Sequence, residues 1–394
     1  MERWGRKSLL AAGGVLVMLS LSPGGTPPAE ALIRGVCSDC HTMHNSQDGE
    51  SMAFGAGGDR VNAMLTRGGC IGCHAQNTGE KIVTFGSNKF PQVMHTDAGG
   101  DLAAGNFAYI TGDKGSGAHD SKGHNVRDVV NQDSRAGLFG PPGGAVFFFH
   151  NNGGNVNSGN LTCAGNNGCH GYRAGDGFGI GSGIIALKGA HHGNVDGLLN
   201  SALTLPGSYR FLLGVRGLEN PNPDDRWQNR SSSSHNEYFG ASTPGYIYPA
   251  GDCESCHSAI DGYIRPQNNT ISAFCGTCHG NFHTLTTGSS TGIGTDTVSP
   301  FIRHPTDIVI KNEGEYAGYT TYNITAPAGR QVLPESPSSD VTPGSDTVTC
   351  LSCHMAHASD YSSMLRFDYS QMMAHEGGDA SGNGCFACHT TKDE

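Results

Sequence analysis

Six times along this 394-residue chain, two cysteines separated by two residues are followed at once by histidine. The six are Cys37-Ser-Asp-Cys40-His41, Cys70-Ile-Gly-Cys73-His74, Cys253-Glu-Ser-Cys256-His257, Cys275-Gly-Thr-Cys278-His279, Cys350-Leu-Ser-Cys353-His354 and Cys385-Phe-Ala-Cys388-His389. Two thiols on one turn can form thioethers to the two vinyl groups of one porphyrin, and the next residue then lies under the ring as proximal ligand to iron. Zinc half-sites and redox dithiols share the paired cysteines but do not demand the adjacent histidine. With 19 histidines among 394 residues, six coincidences are excluded.

The chain holds 14 cysteines, so these pairs leave only Cys163 and Cys169, in Cys163-Ala-Gly-Asn-Asn-Gly-Cys169-His170. This stretch also ends in Cys-His and reads as a seventh attachment site with an elongated insert, Cys163 and Cys169 being thioethers and His170 the proximal ligand. Gly165, Gly168, Asn166 and Asn167 can take positive φ and let the insert bulge. The competing reading is a disulfide hairpin between Cys163 and Cys169. Seven covalently attached haem c groups are therefore expected.

Export fits this chemistry. Arg3, Arg6 and Lys7 precede a 13-residue apolar run, Leu9 to Leu21, and Ala29-Glu-Ala31 follows as a cleavage site. That is a secretory signal over residues 1–31, too short for a membrane span of about 20 residues. Without it, 21 basic and 33 acidic residues remain, a formal net charge of −12. Such a surface disfavours nucleic acid and anionic lipid, and no later stretch could span a bilayer. The expected location is secreted, extracellular or at the outer surface, with the periplasm as alternative.

Hydrophobic residues make up 36%, and 60 of 394 residues are glycine, about twice the usual share. Seven haems on the 363 residues from 32 onward would form the interior in place of apolar side chains, with glycine-rich backbone packed against them. The expected fold class is mostly irregular coil with short α-helices at the attachment motifs, wrapped around a chain of covalently bound haems, with little β-structure. The expected division is a haem pair over 32–140, the stretched site over 141–250, a second pair over 251–333, a linker over 334–347 and a C-terminal pair over 348–394. Residues 32–394 would form one continuous multihaem domain, with the stretched site standing alone between the first two pairs.

Bis-histidine ligation requires seven distal histidines in addition to the proximal His41, His74, His170, His257, His279, His354 and His389. Twelve remain. His44 and His357 follow proximal histidines by three positions and share a helical face with them. Neither can reach the far side of its own haem, so each must serve a neighbouring one, in the same chain or another. His283, four after His279, follows the same logic. His304 in Arg-His-Pro, His124 in Lys-Gly-His-Asn, and His95 complete the set with one residue of the adjacent pair His191-His192, for which His192 is chosen. His235 is the main rival for the middle haems. His119, His150 and His375 read as solvent-facing or propionate partners, and Met43, Met94 and Met355 as lesser alternatives.

The stretches Cys37-Ser-Asp-Cys-His-Thr-Met-His-Asn-Ser46, Lys122-Gly-His-Asn125, Ser208-Tyr-Arg-Phe-Leu212, Cys-His-Gly-Asn-Phe-His283, Ile302-Arg-His-Pro305 and Cys350-Leu-Ser-Cys-His-Met-Ala-His-Ala-Ser359, with Met364-Leu-Arg-Phe367, are spread along most of the chain after residue 31. In them the sequence resembles multihaem c-type cytochromes, in particular the filament-forming (nanowire) extracellular cytochromes of metal-respiring bacteria. The resemblance implies self-polymerisation, with His44 ligating a haem of the neighbouring subunit. The chain departs from that pattern in its stretched third motif and in the additional motif Cys253–His257.

The expected function is electron conduction through closely spaced bis-histidine haems towards an extracellular acceptor or other redox proteins, without catalysis. The competing function is a multihaem oxidoreductase reducing a nitrogen or sulfur oxyanion at one open-site haem. That reading requires an iron without a distal ligand, and the stretched site, with no histidine three residues on, is its best candidate.

Overall fold

In this computed structural model, regular structure is confined to short pieces between long loops. The structure describes residues 35–47, 50–54, 61–75, 79–130, 161–173, 181–193, 198–199, 201–243, 268–279, 304–374 and 382–392, with 33, 142 and 266. The signal over 1–31, the Cys253, Cys256 and His257 motif, and His150, His283 and His375 lie outside these residues.

The strands run two to four residues. In chain order they are β1 (Ser46–Gln47), β2 (Glu50–Ser51), β3 (Ile82–Phe85), β4 (Asn88–Pro91), β5 (Thr162–Ala164), β6 (Gly168–His170), β7 (Leu198–Leu199), β8 (Gly217–Leu218), β9 (Glu237–Phe239), β10 (Ile308–Val309), β11 (Gly329–Arg330) and β12 (Thr347–Val348). The helices are α1 (Cys70–His74), α2 (Ala108–Thr111), α3 (Ala190–Gly193) and α4 (Ile271–Gly276). Mostly coil, with few short helices and little sheet, is the fold class read from the sequence.

Six strands form one sheet in the order β10-β12-β11-β9-β8-β7, mixed because β11 runs parallel to β9. A buried charge network ties its middle together. Glu237 on β9 accepts from His235 Nε2 at 3.1 Å, from Arg330 Nε at 2.8 Å and from the Ser338 backbone at 2.8 Å. Arg330 on β11 also pairs with Asp346. The His235 and Glu237 side chains are fully shielded, and Tyr322 stacks on His235 at 3.6 Å. Burial pushes the Glu237 carboxyl up, but the bonds from His235 and Arg330 outweigh it and hold the group below its usual range. Residues 334–347, expected as a polar linker, are instead built into this region. Val341 is buried and Asp346 holds Arg330, because the segment's polar groups find partners inside the fold.

Apolar packing among the described residues is divided into four small clusters, with no single large core. One of them, built on Leu199, Tyr209, Val215, Tyr238, Ile271, Phe274 and Leu351, is flanked by motif cysteines Cys169 and Cys275. Residues 31–394 form one compact unit. No helix of the described residues is long and apolar enough to cross a membrane.

Candidate haem-binding sites

Each described regular motif begins within a helical turn. Cys70–His74 is α1, Cys275 lies in the last turn of α4, and Cys37–Asp39, Cys350–Ser352 and Gly384–Ala387 are 3-10 turns. In each of these five, the first cysteine's carbonyl accepts a backbone bond within the turn, such as His354 N to Cys350 O at 3.0 Å. The turn holds two thiols and the following imidazole on one side. The stretched motif departs from the expected helix: Cys163 and Cys169 lie on β5 and β6, paired parallel with Thr162 opposite Gly168 and Ala164 opposite His170. Gly165 takes φ +103 as foreseen, whereas Asn166, Asn167 and Gly168 do not need positive φ. All twelve described cysteines are free, Cys163 and Cys169 among them.

One backbone device recurs at three sites. At Met64-Leu65, Arg210-Phe211 and Ser363-Met364, two consecutive non-glycine residues sit in the left-handed region, φ 53–60. The carbonyl of the first accepts the proximal Nδ1–H: Met64 from His41 at 2.9 Å, Arg210 from His170 at 2.9 Å, Ser363 from His354 at 2.7 Å. The carbonyl of the second accepts the backbone N–H just after that histidine, from Thr42, Gly171 and Met355. Such residues carry strain of roughly 1–3 kcal/mol each. Here the strain aims a carbonyl. The stretched site has the same fixture as two regular ones.

His74 and His279 use Pro91 and Pro142 carbonyls, at 2.9 and 2.6 Å. A carbonyl can only accept, so in all five Nδ1 carries the proton and Nε2 keeps its lone pair, the tautomer a metal ligand needs.

Across from five proximal rings stands a second histidine. Ring centroids are 6.1 Å apart for His41 and His192, 6.4 Å for His74 and His191, and 6.2 Å for each of His170 with His357, His279 with His124, and His389 with His304. With metal–nitrogen bonds of about 2 Å and a nitrogen-to-centroid distance of about 1 Å, two imidazoles that shared one iron between them would have centroids about 6 Å apart. The donor set fits the group. His124 Nδ1 bonds to Ala356 O at 2.8 Å and His304 Nδ1 to Pro305 O at 2.9 Å. Burial lowers the pKa of His191 and of His124 to about 4 and of His357 to about 3, and lowers His74 and His170 as well. These imidazoles are neutral at pH 7, as ligation requires.

His192 was expected from the adjacent pair; the structure brings both, His191 against His74 and His192 against His41. Successive helical residues point about 100° apart, so adjacent histidines on α3 can face two neighbouring sites, a signal the sequence carried. His95 meets no proximal histidine among the described residues. Its ring is buried, 3.7 Å from Asp101, and its backbone is clamped by Asn106. His235 belongs to the charge network. His119 caps a turn by accepting from Ser121 N and is exposed. His44 is exposed, in left-handed backbone with φ 56. His354 faces no second histidine among the described residues, and no group of three or more metal-binding side chains occurs there.

Neighbouring motifs come together at their thiols. Cys40 lies by Cys73, Cys70 is hydrogen-bonded to Cys163, Cys169 lies by Cys278, Cys275 is hydrogen-bonded to Cys350, and Cys353 lies by Cys385. The six described motifs thus follow one another in space in sequence order. The stretched site is not alone between pairs: it links the second motif to the one at Cys275.

A family model described as a doubled CXXCH motif matches residues 342–394. The chain is 26% identical over 428 residues to the C-type cytochrome OmcS of Geobacter sulfurreducens, covering 98% of this chain and 90% of that protein. Two solved structures from the same organism are similar at a TM-score of 0.41. One is the cryo-EM structure of the OmcS nanowires, at 19% identity over 93% of this chain and 92% of that one. The other is the Outer Membrane Cytochrome S filament, at 18% identity over 93% of each. The resemblance to filament-forming multihaem c-type cytochromes, read first from the motifs, thus extends in sequence along 98% of the chain.

Proposed function

We propose that the chain is an exported seven-haem c-type cytochrome that conducts electrons through bis-histidine haems towards an extracellular acceptor, without transforming a substrate. The observation that carries this reading is the set of five opposed histidine pairs at 6.1–6.4 Å. Bound haem c would supply a one-electron couple at each site. The paired cysteines would hold each group as thioethers, with Cys253 and Cys256 included. The carbonyls of Met64, Pro91, Pro142, Arg210 and Ser363 keep the proximal Nδ1 protonated and the ring orientation fixed. The distal ligands would be His191, His192, His357, His124 and His304. His283 would serve the His354 iron, because Cys275 of its own motif touches Cys350 of the next.

Self-association is supported by His44, exposed and three residues from a proximal histidine whose iron already has His192 opposite. It would ligate a haem of the neighbouring subunit, as the resemblance implies. The exposed Met43 and Leu65 beside it offer apolar surface. The oxyanion-reductase reading loses its best candidate, since His357 stands opposite His170 at the stretched site. The test is mass analysis of the exported protein with spin-state spectroscopy. Seven haems, all low-spin, is the expected result; bridged sulfurs at Cys163 and Cys169, or a high-spin iron at the stretched site, would overturn it.

A further inference from the structure

Five described proximal histidines send Nδ1–H to a neutral backbone carbonyl. The sixth does not. His389 Nδ1 stands 3.3 Å from a carboxylate oxygen, Oε1 of Glu315, in a partly shielded setting where the two side chains are 28% and 18% exposed. The neighbourhood is built to keep it there. Glu315 lies in the 3-10 turn Gly314–Gly318, and its own carbonyl accepts from both the backbone N–H and the hydroxyl of Thr390, the residue directly after His389. Gly318 allows the approach, since a Cβ there would fall 2.5 Å from Thr390 Oγ1. Glu315 Oε2 faces Lys392 Nζ at 3.8 Å, and the Glu315 carboxylate also takes a hydrogen bond from the Tyr316 side chain. Tyr316 packs its ring edge on His389 at 5.2 Å.

We propose that Glu315 is a positioning residue that polarises the His389 imidazole and makes the iron held by His389 and His304 harder to reduce than those whose proximal histidines bond to carbonyls. The inference rests on the haem reading above. A carboxylate this close to Nδ1 acts on the imidazole through its charge, makes the ring a stronger donor and favours the more highly charged oxidised metal. A carbonyl does this far less. Among the described motifs' thiols, Cys385 and Cys388 lie by Cys353 alone, so this site ends the described series, and Glu315 sets one terminus apart in potential.

The test is a spectropotentiometric titration of the full-length exported holoprotein, wild type against Glu315→Gln, with haem content and low-temperature EPR recorded on the same samples. In Glu315→Gln one couple should move upward by at least a tenfold change in its oxidised-to-reduced ratio, about 59 mV for one electron, with one low-spin EPR signal shifted and seven haems retained. Glu315→Asp should restore part of the shift. Lys392→Met, which removes the cation competing for the carboxylate, should move the same couple the opposite way. Unchanged couples in Glu315→Gln with all haems present overturn the proposal and leave the electron-transfer reading intact. If Glu315→Gln loses a haem, an unmoved couple in Lys392→Met overturns it instead. A wild type without low-spin haems fails at the earlier reading.

Discussion

The ring of His357 lies 6.2 Å from that of His170, although His357 stands three residues after the proximal histidine of a different motif. Phe107 stacks on His357 at 4.8 Å and the His357 backbone bonds to Ala104 O at 2.7 Å, so the loop before α2 carries this histidine to the stretched site. Replacing His357 by Ala should leave seven haems attached and turn about one in seven high-spin, visible by EPR or magnetic circular dichroism. A fully low-spin variant would refute the pairing.

Gly105 meets Ala358 as a bridge partner, and a Cβ added there would fall 1.9 Å from the Ala358 carbonyl oxygen, on backbone with φ +92. Neither atom can yield. Gly105→Ala should lower stability by about 2–4 kcal/mol, from overpacking and a left-handed alanine together, and weaken the low-spin signal of the stretched site. Thermal unfolding of the holoprotein measures the first effect; an unchanged midpoint would mean the 104–106 segment does not hold the 357–359 segment.

The left-handed pair Ser363-Met364 aims a carbonyl at His354. A β-branched residue tolerates positive φ poorly. Ser363→Val should therefore cost about 1–3 kcal/mol, while Ser363→Gly should cost little. Equal midpoints for the two variants would show that the turn's conformation does not matter.

Glu237 has its pKa lowered from 4.5, burial opposing and the bonds from His235 and Arg330 prevailing. A depressed carboxyl contributes stability that is present above its ordinary pKa and is lost as pH falls through the depressed one. Unfolding midpoints measured from pH 6 downward should fall more steeply in wild type than in Glu237→Gln. The variant should be less stable at pH 7 by about 3–5 kcal/mol, since Arg330 loses a buried partner. Parallel pH profiles would remove Glu237 from the acid response.

His44→Ala should leave the five internal pairs and their spectra intact while abolishing assembly into filaments, seen by electron microscopy. Intact polymers would exclude His44 as an intersubunit ligand.

What could be read along the chain was whatever a single turn determines. A thiol pair and the next histidine sit within one turn, so Cys70-Ile-Gly-Cys73-His74 announces its chemistry without knowing its neighbours. The stretched motif was singled out by exclusion, through Cys163 and Cys169, and the structure gives it paired strands where a helix was expected. Low hydrophobicity and abundant glycine likewise foretold coil without an ordinary apolar core. His95 shows the limit: its place beside Asp101 and Asn106 leaves no trace in its own neighbours along the chain. The 334–347 segment shows it again, because a polar stretch reads as a linker until its partners, Arg330 above all, are known.

The sequence by itself determined where paired cysteines meet a following histidine and which donor types stand together, because those depend on residue type and spacing over a few positions. Only the tertiary structure decided which histidine faces which. His124 meets His279 and His41 meets His192 across more than 150 positions, and a ligand pair forms only if packing brings two rings to about 6 Å. Sequence separation carries no record of that distance; it is set by strained turns, close glycine contacts and buried backbone bonds acting together.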